Sequence, residues 1–230
     1  MTRKLYDLCG ARPDWRFSPF CWLAKFALAH KELEHEIIPL RFTEKENYPD
    51  PEHGKLPILV DGDTVVTESW EIVRYLDRTY PERPLAATAG EWAAAEFYRA
   101  WLGAAVFPAL APFMMIRVHA VIDDGDKDYF RASREKRFGA TLEDLAERGP
   151  KGKSMIETAL ATLAAPLSEY DFLGGAAPNL CDYVVFSPFM WQRCVTAETF
   201  YETPAPAAAW MERMLAACEG LAGSAARAAA

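Results

Sequence analysis

The chain changes character near residue 85, and this change constrains its fold more than any other feature. Before it, strand-like and helix-like segments alternate in the order β-α-β, then β-β-α. The strands are predicted at residues 5–8, 34–40, 58–60 and 65–66, and the helices at residues 19–30 and 71–80. After Pro81 and Pro84, only helical periodicity follows. The pattern predicts an α/β domain over residues 1–83 and an all-α domain over residues 90–225.

The second part of the chain is predicted to contain several packed helices. Apolar residues recur at helical spacing from Tyr98 to Ala105. Pro108 and Pro112 follow, and each is expected to break or kink that helix because proline lacks the N–H that a helix needs. Further helices are predicted at residues 129–148, 155–170, 180–195 and 207–221.

The net charge and the distribution of the cysteines argue against some classes of function. The net charge of −8 argues against nucleic-acid binding, which favours basic surfaces. The five cysteines are scattered and form no Cys-x-x-Cys pair, so free thiols in a reducing compartment are expected. The N-terminal segment lacks the apolar core of a signal peptide, and charges or prolines interrupt every apolar run. The sequence therefore predicts a cytoplasmic protein that does not enter a membrane.

No metal is expected. The four histidines form no metal-like spacing with the cysteines. Asp124, Asp126, Asp128 and Glu135 have the spacing of a calcium loop, but Tyr129 occupies the sixth position, where such a loop needs glycine. An acidic turn before a helix is the better interpretation.

Ser18 lies at the predicted start of the first helix, directly before Pro19. Serine is a common helix cap, so a purely structural role is one interpretation. The other is chemical: a helix N-terminus attracts anions, and a hydroxyl there can donate to a bound thiolate and lower the thiol pKa. Serine forms no disulfide, so such a site would activate the thiol of a ligand.

Two further segments suit the remainder of a small peptide ligand. If the Leu56-Pro57 bond is cis, the Leu56 backbone is free to pair with an extended peptide, and Lys55 beside it could meet a carboxylate. Ser69 opens the next predicted helix and could bind a second carboxylate while Glu68 receives an ammonium group. The structural alternatives are that Pro57 is an ordinary edge residue of a strand, that Lys55 is a solvated surface lysine and that Ser69 is only a helix cap. Together the three sites suit glutathione, which has a thiol, a peptide backbone and a γ-glutamyl end with both charges.

These motifs, in this order, resemble the cytosolic glutathione transferases. The resemblance implies a thioredoxin-like N-terminal domain, a C-terminal helical bundle, glutathione as co-substrate and a homodimer. It assigns Ser18 to catalysis and assigns glutathione binding to Ser18, Phe20, Lys55, Leu56, Pro57, Glu68 and Ser69. It also implies that Asn179 caps a buried helix and that Asp182 reaches back to that cap.

A narrower resemblance is to the bacterial glutathione-dependent β-aryl etherases and related fungal transferases. It rests on residues 5–8, 17–22, 128–135, 141–144 and 178–183. This similarity implies attack of glutathione sulfur on a carbon that bears a phenolic leaving group. The segment after Phe107, which is rich in proline, phenylalanine and methionine, departs from the etherase pattern.

The second substrate is expected to be a hydrophobic small molecule, with an aromatic compound as the first expectation. Phe20, Phe107, Phe113 and Met115 are the candidates for its pocket, although a plain core role is open for each. Arg117 and His119 could meet a polar substrate group or lie on the surface. General conjugation and dehalogenation are alternative reactions, and a non-catalytic ligand-binding protein is the alternative class. Tyr6, Cys9 and Cys21 compete with Ser18 for the catalytic role.

Overall fold

A computed structural model of the protein describes residues 3–227. Its N-terminal part is a four-stranded sheet in the order β2-β1-β3-β4, with β1 and β2 parallel and β3 antiparallel to both of its neighbours. This is the predicted thioredoxin-like arrangement. The elements are β1 (Arg3–Leu8), α1 (Pro19–His30), β2 (His35–Leu40), β3 (Ile58–Asp61), β4 (Thr64–Thr67) and α2 (Ser69–Thr79).

The β3–β4 hairpin forms as its turn chemistry predicts. Gly62 takes a positive φ of 61°, which glycine tolerates without steric cost. Ile58 pairs with Thr67 and Asp61 pairs with Thr64. This pairing aligns the end of β4 with the start of β3, next to the segment predicted to bind glutathione.

The C-terminal part is entirely helical within the described residues, as predicted. Its core contains fully buried aromatic side chains, including Trp210, Tyr183 and Phe130. The helices are α3 (Ala89–Trp101), α4 (Phe107–Val121), α5 (Asp124–Phe138), α6 (Leu142–Ala146), α7 (Gly149–Leu167), α8 (Leu180–Val195) and α9 (Ala205–Gly220).

One helix predicted at residues 129–148 is wrong, because the chain forms two. Gly139 takes a left-handed φ of 62° and ends α5, which is a common role of glycine at a helix C-terminus. Thr141 then caps α6 by accepting a hydrogen bond from the Asp144 N–H at 3.0 Å. The start is also earlier than predicted, because Asp123 caps α5 through the Gly125 N–H.

The prolines of the second domain interrupt the helical hydrogen bonding without ending the helix. A π-helical segment, Leu102–Val106, joins α3 to α4 directly before Pro108, and Pro112 lies inside α4. The wider π turn accommodates the missing N–H of Pro108 locally, whereas Pro112 is tolerated within α4 itself. The expectation that prolines shorten every apolar run is therefore wrong. The run Ala89–Val121 is long and apolar enough to span a membrane by length and composition, which a packed core helix also satisfies, and this one packs against α7 and α8.

The two domains share a packed interface. The Phe26 ring of α1 stacks on Tyr183 of α8, with ring centroids 5.4 Å apart. Asp126 of α5 accepts hydrogen bonds from the Thr43 N–H at 2.9 Å and from its hydroxyl at 2.7 Å, in the loop after β2. Asp126 of the calcium-like acidic turn therefore joins the domains. Among residues 3–227, no group of three or more His, Cys, Asp and Glu side chains is placed to hold a metal ion.

The helix-start box of α8 forms as the resemblance implied. Asn179 accepts a hydrogen bond from the Cys181 N–H at 2.9 Å, and Asp182 accepts one from the Asn179 N–H at 3.1 Å. Asp182 also accepts from the Trp210 indole N–H at 2.8 Å. The box thus fixes α8 to α9 in the core of the second domain.

Candidate functional site

Ser18 is the N-cap of α1 and lies at the junction of the two domains. Its backbone is extended, with φ −62° and ψ 122°, and its side chain accepts a hydrogen bond from the Cys21 N–H at 3.4 Å. The capping role is therefore real. A hydroxyl has one donor and two acceptor positions, so capping leaves the O–H hydrogen available for a ligand.

A cavity of about 500 Å³ opens beside Ser18, between the α/β domain and the helices. Residues of the α/β domain line one side of the cavity, and residues of α4, α5 and α8 line the other. Of the predicted site residues, the structure brings six together in its lining: Ser18, Phe20, Lys55, Leu56, Phe107 and Met115. The Phe20 and Phe107 rings stack across the domain boundary, with centroids 5.6 Å apart.

The Leu56-Pro57 peptide bond is cis, which confirms the prediction. Ile58 is the first residue of β3, so Leu56 lies just outside the strand pairing of the sheet. Leu56 lines the cavity, whereas Pro57 is buried behind it. The backbone of Leu56 is therefore available to pair with an extended ligand at the edge of the cavity.

Glu68 lies next to the cavity through its contact with Lys55. The Glu68 carboxylate is 3.5 Å from the Lys55 ammonium nitrogen and 3.5 Å from His53 Nε2. Glu68 has a positive φ of 64° and precedes α2, whose first residue is the buried Ser69. Within residues 3–227, no side-chain hydrogen bond caps this helix. The first turn of α2 thus presents unsatisfied N–H donors to an anion.

Phe113, which was predicted to line the substrate pocket, is outside the lining of this cavity. Successive residues of an α-helix are rotated by about 100°, and the pocket face of α4 carries Phe107, Ala111 and Met115. Phe113 lies on the other side, where its ring stacks on Phe200 at a centroid distance of 4.7 Å. Arg117 also faces away, since its guanidinium pairs with the Glu198 carboxylate at 2.6 Å. His119 lies outside the cavity lining as well.

The competitors of Ser18 are poorly suited to thiolate or phenolate chemistry at this cavity. Burial raises the pKa of the Cys9 thiol to about 11 and raises that of the fully buried Cys21 thiol well above its ordinary value. Both side chains therefore stay protonated at neutral pH. Tyr6 packs against Leu40, Tyr48 and Ile58 and is outside the cavity lining.

Helix α5 contributes a part of the cavity wall that was not predicted from the sequence. Phe130, Arg134 and Arg137 follow one another at helical spacing and all line the cavity. That spacing is readable from the sequence, but it identifies a face only when the start of α5 is placed correctly. Phe42 and Trp191 complete the wall from other elements, and only the tertiary structure brings them here.

A second, larger depression of about 1450 Å³ lies between α1, β2 and α9. It is an open surface, and none of the predicted site residues borders it. The smaller cavity is therefore the candidate site, because it joins the N-terminus of α1 to an apolar wall.

Family comparisons agree with the two-domain architecture. Residues 13–84 match the family model for the N-terminal domain of glutathione S-transferase, and residues 93–220 match the model for its C-terminal domain. Among curated proteins, glutathione S-transferase Z1 of Arabidopsis thaliana is 38% identical over 76 residues, which are 31% of this chain and 34% of that protein. This match therefore spans about a third of the relative's length.

Solved structures give matches over most of the chain. A glutathione S-transferase of Ceriporiopsis subvermispora, in complex with glutathione, is 25% identical with a TM-score of 0.69, covering 83% of this chain and 85% of that one. A β-etherase from Sphingobium sp. strain SYK-6 is 21% identical with a TM-score of 0.67, covering 94% and 96%. At that identity the second match shows the fold alone.

Proposed function

Because the chain belongs to the glutathione S-transferase family, we propose that it binds glutathione at Ser18 and transfers the glutathione sulfur to a hydrophobic, aromatic electrophile. The observation that carries the proposal is the position of Ser18. Its hydroxyl is at the N-terminus of α1 and borders an apolar cavity that both domains build. A relative of this fold has been solved with glutathione bound. We expect the protein to act in the cytoplasm.

Ser18 favours the ionised form of the bound thiol. A hydrogen bond donated to a thiolate lowers the thiol pKa, and the positive end of the α1 dipole acts in the same direction. Serine adds no charge of its own and leaves the sulfur free to react. The thiolate, and not the thiol, is the nucleophile.

The remaining contacts hold glutathione in place. The Leu56 backbone pairs with the cysteinyl unit, the Ser69 end of α2 binds the γ-glutamyl carboxylate, and Glu68 binds the γ-glutamyl ammonium. Lys55, which contacts Glu68, is close enough to meet a carboxylate of the same ligand. Phe20 and the buried Pro57 shape the surface between these groups. Fixing the thiolate beside the electrophile makes the attack effectively intramolecular.

Cleavage of an aryl ether is the leading reaction. The thiolate sulfur attacks the carbon that bears the aryloxy group, the C–S bond forms and the C–O bond breaks. The electron pair leaves with the phenolic oxygen, which takes its proton from water. The stacked Phe20 and Phe107 rings suit an aromatic substrate, and the fold similarity to a β-etherase makes this class the first to test.

Steady-state assays test the proposal with glutathione and three electrophiles: a β-aryl ether model compound, chlorodinitrobenzene and an alkyl halide. Release of phenol together with a glutathione thioether supports ether cleavage. Turnover of the halides alone supports general conjugation or dehalogenation. If calorimetry detects glutathione binding but no electrophile turns over, the protein is a ligand-binding member of the family. Absence of glutathione binding rejects the proposal.

We also propose that the protein is a homodimer. Val65 on the edge strand β4 is 48% exposed and Phe97 on α3 is 65% exposed, and large apolar side chains of this kind are common in isologous interfaces. Light scattering on Phe97→Asp should show a lower mass than the wild type. Tyr170→Asp, which alters another exposed aromatic residue in the segment after α7, is the control. A monomeric wild type contradicts the proposal.

A further inference from the structure

Arg134, a cation in the wall of the candidate site, has no carboxylate partner among the described residues. Arg134 of α5 lies half-buried, with its guanidinium carbon 4.6 Å from the centre of the Phe130 ring and 5.4 Å from that of Phe42. Within residues 3–227, no carboxylate lies within ion-pair distance of it, and its Nη1 contacts the hydroxyl oxygen of Ser133 at 2.9 Å. Burial lowers the pKa of this guanidinium.

The same helix shows what a paired arginine looks like. Arg131 lies nearly one turn earlier and binds the Glu135 carboxylate at 3.0 Å and the Glu143 carboxylate at 2.9 Å. Arg131 is thus occupied in joining α5 to α6, whereas Arg134 is turned into the cavity wall. The difference indicates that Arg134 has no structural ion pair to maintain.

The charged side chains that line the cavity are all positive, although Glu68 beside the cavity pairs with Lys55. Its described lining includes Lys55, Arg134 and Arg137 and contains no Asp or Glu side chain. This contrasts with the net charge of −8 over the full sequence. A local positive field in an apolar cleft concentrates anions, even when the rest of the protein is acidic.

An arginine in this position is costly unless a ligand pairs with it. Guanidinium does not lose its proton in proteins, so burial cannot be relieved by neutralisation. The planar fork binds carboxylates in a bidentate manner, and the aromatic rings beside it can contact the ring of the same ligand.

We infer that Arg134 binds an anionic substituent, such as a carboxylate, on the aromatic electrophile. The inference rests on the proposed function and narrows its substrate class from hydrophobic aromatics to acidic aromatics. A carboxylate of glutathione has the same chemistry, so the experiment must separate the two sources.

The kinetic test uses a chlorodinitrobenzoate and its methyl ester with the full-length protein. In both compounds the C–S bond forms, the C–Cl bond breaks and chloride leaves with the electron pair. For Arg134→Gln, we expect the ratio of kcat/KM for the acid to that for the ester to fall about tenfold or more, since a charge-assisted pair is lost. Arg134→Lys should keep part of that ratio. Lys136→Gln removes an exposed positive charge from the same helix and is the control.

A binding test does not depend on turnover. Calorimetry with unreactive nitrobenzoate and nitrobenzamide should show that the wild type prefers the acid and that Arg134→Gln loses the preference while its affinity for glutathione is unchanged. An unchanged acid-to-amide preference in a folded Arg134→Gln protein overturns the inference. A selective loss of glutathione affinity also overturns it and assigns Arg134 to the co-substrate. If the acid preference holds but no electrophile turns over, only the catalytic proposal fails.

Discussion

The Lys25 ammonium nitrogen lies 3.0 Å from the Asp7 carboxylate, and both side chains are almost completely buried. Asp7 belongs to β1 and Lys25 to α1, so the pair joins the two elements that bracket the Ser18 segment. Lys25 also lies over the Trp22 ring, 3.6 Å from its centre. Within residues 3–227, neither Asp7 oxygen receives a hydrogen bond of good geometry, so the ionic contact is the main compensation for burying the carboxylate.

Lys25→Met should therefore lower the free energy of unfolding strongly. The change keeps much of the side-chain volume but leaves the Asp7 charge unpaired, a loss of about 3–5 kcal/mol for buried pairs. Lys4→Met on β1, the strand that carries Asp7, breaks an exposed pair with Glu36 and should lower the free energy of unfolding by less than about 1 kcal/mol. Urea unfolding of both variants measures the difference. Equal effects would contradict the role assigned to the buried pair.

Ser18→Ala should lower turnover at neutral pH by roughly ten- to a hundredfold, the effect of losing one hydrogen bond to a charged group. Without the donor, the pKa of the bound thiol rises, so the rate should recover as the pH increases. A pH–rate profile, with ultraviolet titration of the bound thiolate, measures the shift. Ser18→Thr keeps a hydroxyl and a good helix cap, so it should retain most activity. Full activity of Ser18→Ala at neutral pH would exclude the serine mechanism.

Cys9→Ser should leave glutathione transfer intact. The pKa of Cys9 is raised to about 11 by burial, so the folded protein binds that proton more tightly than the unfolded chain does. The associated stability is present at neutral pH and is lost as the pH rises from the unfolded value toward the folded one. Iodoacetamide should accordingly label Cys9 slowly in the folded protein and rapidly in denaturant, as peptide mass spectrometry can show. A mixed disulfide between Cys9 and glutathione would favour thiol exchange instead.

Phe107→Ala and Phe113→Ala should have different effects, although the two residues share one helix. Phe107 stacks on Phe20 in the cavity wall, so its loss should mainly raise KM for an aromatic electrophile. Phe113 stacks on Phe200 in the helical domain, so its loss should mainly lower stability, by about 3 kcal/mol or more. Steady-state kinetics and urea unfolding on both variants separate these effects. A selective KM change in Phe113→Ala would contradict the position of Phe113 outside the cavity.

The sequence predicted the fold better than it predicted the cavity wall. Strand alternation, the Asp61-Gly62 turn and the capping residues act locally, so the four strands and the start of α1 could be located from neighbouring residues. Gly139 was missed as a helix end because glycine inside a helical pattern is only a weak signal.

The missed parts of the site depend on contacts between distant segments. Helix α4 is apolar on most of its surface, so its sequence does not show whether Phe107 or Phe113 faces the ligand. Arg134 gains its surroundings from Phe42, which lies in the other domain. Its contact with Phe130 follows from helical spacing, but neither the contact with Phe42 nor the lack of a carboxylate partner can be inferred from the residues beside Arg134 in the chain.

Ser69→Ala should weaken glutathione binding by roughly 1–3 kcal/mol, because the γ-glutamyl carboxylate would lose a charge-assisted hydrogen bond. Ser69 is buried at the start of α2, and within the described residues no side chain caps that helix, so a ligand carboxylate has little competition there. Calorimetry with glutathione measures the loss, and Ser168→Ala, which removes an exposed hydroxyl at the end of α7, is the control.

Glu68→Gln should also weaken binding, because Glu68 is proposed to hold the ammonium of the same γ-glutamyl group. If both residues hold that group, the double variant should lose less than the sum of the single losses, since they act on one ligand end. Unchanged affinity in Ser69→Ala would remove α2 from the glutathione site.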